Sequence, residues 1–206
     1  MNQEQPIKVV VKQKGGPGCF KIGLGVGCVA PAAFCVGLIV IAVIVMALVQ
    51  AGEKSATEQA IKRNNGFGSF EKPIPAQQWA LFEEGTVRAT KLIRQADQMV
   101  EEFNAFNPDP PAGADYVLVW FELQCNVEKC DPDLLDLRLM DSQEKAWGEP
   151  WVLVLDPDFD KAAVRGATTA GWQGFQFPVG EPVRTIKIEW GSETLHVEPP
   201  AAQIAP

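Results

Sequence analysis

The residues of this chain that could do chemistry are few, and they lie beyond residue 52. Asp156, Asp158 and Asp160 alternate, and Asp131, Asp133 and Asp136 form a second acidic stretch. Alternating carboxylates can collect Ca²⁺, which takes roughly six to eight oxygen ligands. Here the pattern is incomplete. The glycine that a helix–loop–helix calcium site needs is missing, no glutamate closes the set, and Pro157 marks a turn. Asp156, Asp158 and Asp160 are therefore weak calcium candidates and are expected to be solvated loop acids. No metal and no other cofactor is expected. Cys125 and Cys130 are the cysteines beyond residue 52, with four residues between them. Two cysteines match one structural disulfide in an oxidising compartment; two free thiols are the alternative. A zinc site would need two more ligands, and the sole histidine is His196. A redox pair usually has only about two intervening residues. His196 lies out of phase with Leu195 and Val197, so it is expected to face solvent, and no neighbour in sequence orients it as a general base. Trp120, Trp172 and Trp190 sit in strand patterns and are expected to pack. Trp79, Trp147 and Trp151 lie near loops and could form a partner surface.

These residues must be positioned by strands. Val117, Val119, Phe121 and Leu123 recur at spacing two, and the facing positions Tyr116, Leu118 and Trp120 are also apolar. That predicts a central strand buried on both faces at its start. Leu135, Leu137 and Leu139 alternate with Asp136, Arg138 and Met140. Ile186, Ile188 and Trp190 alternate with Lys187 and Glu189. A turn at Gly191 and Ser192 then leads into 194–197, a terminal hairpin. Residues 171–177 give another strand stopped by Pro178, and 86–93 a further strand of weaker pattern. Residues 95–103 carry Met99, Val100 and Phe103 at helical spacing and predict a short helix. Short strands with little helix in about 130 residues predict an antiparallel β-sandwich.

The chain ahead of these strands is different. Residues 1–21 carry four lysines against one glutamate, and residues 22–52 contain no Asp, Glu, Lys or Arg. The remaining 14 of 18 basic and 25 of 26 acidic residues follow. The run GLIVIAVIVMALV at 37–49 has no polar face, whereas a soluble helix keeps one side for water. About 20 apolar residues span a bilayer core. A cleaved signal has an apolar region of only about 7 to 15 residues, so an uncleaved anchor is expected. The organisation read from the sequence is a basic cytoplasmic tail at 1–21, a transmembrane helix at 22–51 and a linker at 52–69. An extracytoplasmic domain at 70–198 and a disordered tail at 199–206 follow. Four lysines before the span against Lys54, Lys62 and Arg63 after it give a slight positive-inside bias. Orientation leans mainly on the cysteine pair. The acidic domain argues against nucleic acid, because phosphate contacts need clustered cations.

Several segments resemble a family of bacterial extracytoplasmic immunoglobulin-like domains of unknown function, the telokin-like or immunoprotective-extracellular-protein-like group. They are GSFEKPIP at 68–75, FNPDPPAGADYVLVWFELQC at 106–125, LLDLRLMDSQ at 134–143, GWQGFQFP at 171–178 and the closing strand pair. The resemblance covers roughly 67–198. It implies an immunoglobulin-like β-sandwich tethered by a lipid or a helix, and no catalytic residues. The 95–103 helix and the long 147–169 loop depart from the pattern.

The expected role is a non-enzymatic, membrane-tethered binding or structural module of the cell envelope. Its partners are the bilayer through 22–51 and an unidentified envelope protein or ligand. One alternative is an accessory subunit of a membrane complex acting through the helix, where Gly23 and Gly27 have a packing-motif spacing. The other is an envelope hydrolase using Asp156 and Asp158, which would need a cleft with perturbed acids.

Overall fold

The structure, a computed structural model, describes residues 29–148, 156–157 and 159–205, with side chains of the first helix from residue 40 onward. The chain divides into two compact units, Met1–Val45 and Met46–Pro206. Helix α1, Val29–Arg63, begins in the first and ends in the second. In the first unit, the described side chains from Val40 are exposed and wholly apolar. Among the described residues this is the helix long and apolar enough to cross a membrane. The helix continues through most of the stretch expected as a linker. The cause is local: Glu53 to Arg63 contains no Gly or Pro and is rich in helix-forming Glu, Lys, Ala and Gln.

In the second unit the strands β1 (Ala80–Leu81) and β2 (Gly85–Arg94) are followed by helix α2 (Asp97–Phe103). Then come β3 (Ala114–Cys125), β4 (Lys129–Cys130), β5 (Leu135–Met140), β6 (Ala146–Trp147) and β7 (Ala163–Val164). The series closes with β8 (Thr168–Pro178), β9 (Thr185–Trp190), β10 (Glu193–Val197) and β11 (Ala202–Ile204). One sheet has the order β1-β2-β3-β8, with β11 also on β2; the other has the order β10-β9-β5-β6; β4 and β7 form a small pair. The two larger sheets share one core. Val87, Val117, Val119, Phe121, Leu123 and Phe175 from the first meet Leu137, Leu139, Ile186, Ile188 and Leu195 from the second, all essentially inaccessible to solvent. This is the immunoglobulin-like antiparallel sandwich that the alternation implied, and alternation is what fills such a core.

Two details position the surfaces. A register shift between Ala89 and Lys91 inserts Thr90 as a bulge in β2. Val87 and Ala89 point inward; without the bulge Lys91 would follow them. With it, Leu92 takes the core place at 1% exposure and Lys91 opposes Trp120 on the outer face. On that same outer face α2 covers the start of β3, where Ala96 and Val100 bury Tyr116 and Leu118. So β3 is covered on both sides there.

Two of the sheet edges, β10 and β8, carry backbone partners. Along β10 the segment 68–74 supplies partners: His196 N donates to Gly68 O, Ile74 N to His196 O, and Glu198 N to Ile74 O, each at 2.8 Å. Along β8, Trp172 N donates to Pro157 O at 2.9 Å and Phe159 N to Trp172 O at 3.1 Å. The tail, expected to lack regular structure, departs from that expectation. Residues 202–204 lie parallel to Leu92–Arg94 of β2, and Ala205 N donates to Arg94 O at 3.0 Å. No proline lies between Pro200 and Pro206, so residues 202–204 are free to extend beside an open stretch of strand.

Candidate functional site

The end of α1 is seated on the sandwich by Asn64. Its carboxamide nitrogen donates to Ala60 O at 2.8 Å and Leu81 O at 3.0 Å, while its oxygen accepts from Leu81 N at 2.9 Å. One side chain thus satisfies a helix-terminal carbonyl and both groups of an edge-strand residue. Arg63 beside it donates to Leu81 O and to both oxygens of Glu193, at 3.1 and 3.2 Å. Glu193 is buried and also accepts from Glu83 N at 2.9 Å, so its charge is satisfied. Ala60 is fully buried beneath, and Thr57 Oγ1 accepts from Thr194 N at 3.2 Å.

Next to this seat the chain makes two turns that enclose a cleft of about 470 Å³. Residues 64–67 form one wall and 74–79 the other, with Leu81 at the back. Asn65 has φ +57° and Gly66 +82°, the left-handed exit common after helices. Opposite, Gln78 N donates to Pro75 O at 3.1 Å, which closes a β-turn with Gln77 at its third position and φ +65°. That backbone region favours Gly or Asn, so glutamine there carries strain. Phe67 and Trp79 supply the rings. Lys72 Nζ sits 4.2 Å from the Phe67 ring centre and the Arg88 guanidinium 4.3 Å from that of Trp79. Arg88 is held in turn by Glu122 at 2.6 Å.

The residues picked out from the sequence fall elsewhere, except Trp79. Cys125 and Cys130 are joined as a disulfide, with Cα atoms 5.5 Å apart and both residues buried. It closes the loop from β3 to β4. Asp156 and Asp160 are exposed, while Asp158 and Trp151 lie outside the described residues. Asp131 caps the turn at 132–134 by accepting from Asp133 N, and Asp136 pairs with Arg138 at 2.8 Å. Among the described residues no three His, Cys, Asp or Glu side chains converge as metal ligands. A second hollow of about 340 Å³ holds Glu53, Asp136 and Glu189, but Asp136 and Glu189 are engaged by Arg138 and Lys187.

Trp147 packs on Phe177 with ring centres 6.0 Å apart and donates its indole N–H to Asp141 at 3.1 Å. It belongs to the core rim of the β5–β6 sheet, and no ring contact joins it to Trp79. Trp120 and Trp172 form a T-shaped pair at 5.2 Å on the outer face of β3 and β8, with Lys91 at 5.3 and 5.9 Å from their centres. His196 differs from expectation. It is half-buried, its Nδ1 is 3.0 Å from Thr185 Oγ1, and its ring meets Phe70 edge-on at 5.6 Å. The period-two pattern placed it off the core correctly, but the segment 68–74 lies over that face. Burial, with Lys187 nearby, pushes its pKa down to about 4.

Sequence reasoning missed Asn65, Phe67, Gln77 and Gln78. The one local signal was Pro75 two residues before a pair of glutamines and a tryptophan.

No protein-family model and no curated protein matches the sequence. Among solved structures, the chain is similar to MPT63, a secreted protein from Mycobacterium tuberculosis, at 14% identity and a TM-score of 0.45. That match covers 62% of this chain and 98% of the other. An uncharacterized β-sandwich protein from Clostridium difficile is similar at 8% identity and a TM-score of 0.44, covering 62% and 94%. A conserved hypothetical protein from Bacillus anthracis follows at 9% identity and 0.38, covering 61% and 95%.

Proposed function

We propose that this chain is a membrane-tethered binding module of the cell envelope, without catalysis, whose sandwich sits outside the cytoplasm. One observation carries the reading. From Val40 to Val49 every side chain is exposed and none has a polar group; the large ones are 50–68% exposed. Such a surface is stable in hydrocarbon and costly in water. The disulfide supports placement in an oxidising compartment, and the lysine-rich segment before the helix supports an inward N-terminus. The covered edges and the cleft beside the α1 seat favour a recognition role over a scaffold of stacked strands.

The test is fractionation of cells expressing the full chain, with alkaline carbonate washing and protease added to intact spheroplasts. The expected result is a carbonate-resistant chain whose sandwich is protease-accessible from outside. Recovery of the uncleaved chain in the soluble fraction without detergent would end the proposal.

A further inference from the structure

We infer that the cleft between 64–67 and 74–79 is a binding site for a neutral oligosaccharide. The inference gives the binding-module reading its ligand and rests on it.

The lining has the chemistry of sugar recognition. Among the described residues its lining carries no formal charge, and the cations beside it, Lys72 and Arg88, lie over its rings, Arg88 being paired as well with Glu122. Asn65, Gln77 and Gln78 have no side-chain hydrogen bond among the described residues, so three carboxamides are unspent. Each offers a donor pair and an acceptor in one plane. A sugar hydroxyl is donor and acceptor at once, and adjacent hydroxyls match a planar amide. Trp79 supplies flat apolar surface for the C–H face of a pyranose ring. Arg88 lies over the Trp79 ring and fixes it, while Phe67, with Lys72 over its ring, is partly buried against the sandwich core. The volume falls in the range of about 300 to 1,000 Å³ usual for small-ligand sites.

The walls are pre-set. Asn64 ties the first to Leu81, and Ile74 ties the second to His196 and Glu198 through backbone bonds. These same bonds argue against a peptide added as a strand. The Leu81 N–H is spent on Asn64 and the Ile74 N–H on His196, so two of the amides a strand would use along the cleft are taken. Gln77 keeps a left-handed backbone that a glycine would relieve, as do Gln95 and Glu144 outside the cleft.

The test is calorimetric titration of the full-length chain in phosphatidylcholine nanodiscs with chitotriose, cellotriose and maltotriose. At least one is expected to bind with a Kd of roughly 10 µM to 1 mM. Trp79→Ala should weaken it about tenfold or more, and Trp79→Phe, which keeps a ring, by no more than about threefold. Gln77→Gly is the sharper variant. It should raise the melting temperature by about 2 °C while weakening binding about fivefold, a split that a purely structural turn would not produce. The inference is overturned by no binding of any of the three sugars, by binding that survives Trp79→Ala, or by a proline-rich peptide binding at Trp79 in their place. A chain that binds the sugar yet fractionates as soluble breaks the tether and supports the site. A chain that stays with membranes and binds none breaks the site and leaves the tether standing.

Discussion

Two stretches of one helix face opposite demands. Val40–Val49 shows exposed apolar side chains on every side among the described residues, whereas Thr57–Asn64 turns Ala60 inward and spends its polar groups on the sandwich. The backbone is the same regular α-helix in both. What differs is where each stretch sends its side chains. A helix apolar all round needs an apolar medium, and a helix with one small buried face needs a fitted partner. Among the described residues only the second requirement is met.

The largest effect should come from breaking the first stretch. Two charges, Ile44→Asp with Leu48→Asp, should cost roughly 5 to 7 kcal/mol of insertion free energy at helix-centre values. The variant should leave the carbonate-resistant fraction while its sandwich keeps its melting temperature; if it stays in the membrane, the contrast between the stretches fails. Next is the seat. Asn64→Ala removes three hydrogen bonds and leaves the Leu81 N–H without its partner, at a cost of about 2 kcal/mol. Denaturant unfolding should show that loss, with membrane partition unchanged. The smallest effect concerns pH. His196 lies under the segment 68–74, and its folded pKa is lowered to about 4 from an ordinary 6.5. Between these values the unfolded chain binds the extra proton, so the contribution is full above pH 6.5 and is lost as pH falls through 6.5 towards 4. Partial exposure limits it to about 1 kcal/mol. His196→Gln should flatten the stability profile in that window, as read by melting temperature against pH; an unchanged slope would remove His196 from the account.

The sandwich was readable because β5 and β9 alternate apolar with polar residues and β3 keeps an apolar residue at every second position from Val117 to Leu123. β2 was faint for a physical reason: the Thr90 bulge changes phase halfway, so Val87 and Leu92 serve one core from positions that no single period connects. The burial of His196 was hidden because it depends on a segment more than a hundred residues away. The cleft was hidden for a similar reason. Its walls come from a helix exit and a β-turn, and nothing in the letters Asn65 and Gln77 records a positive φ. Trp79 alone stood out, by its type. The grouping of Trp79 with Trp147 did not follow, because one precedes β1 and the other lies in β6 on the other sheet.

The backbone bonds that segment 68–74 makes along β10, and that residues 157 and 159 make along β8, have a consequence for crowding. Copies of this chain meeting along β10 or β8 would find some of the edge amides already engaged. At these two edges neighbours find part of the ladder taken, so close packing there favours collisions that come apart over fibre-like stacking.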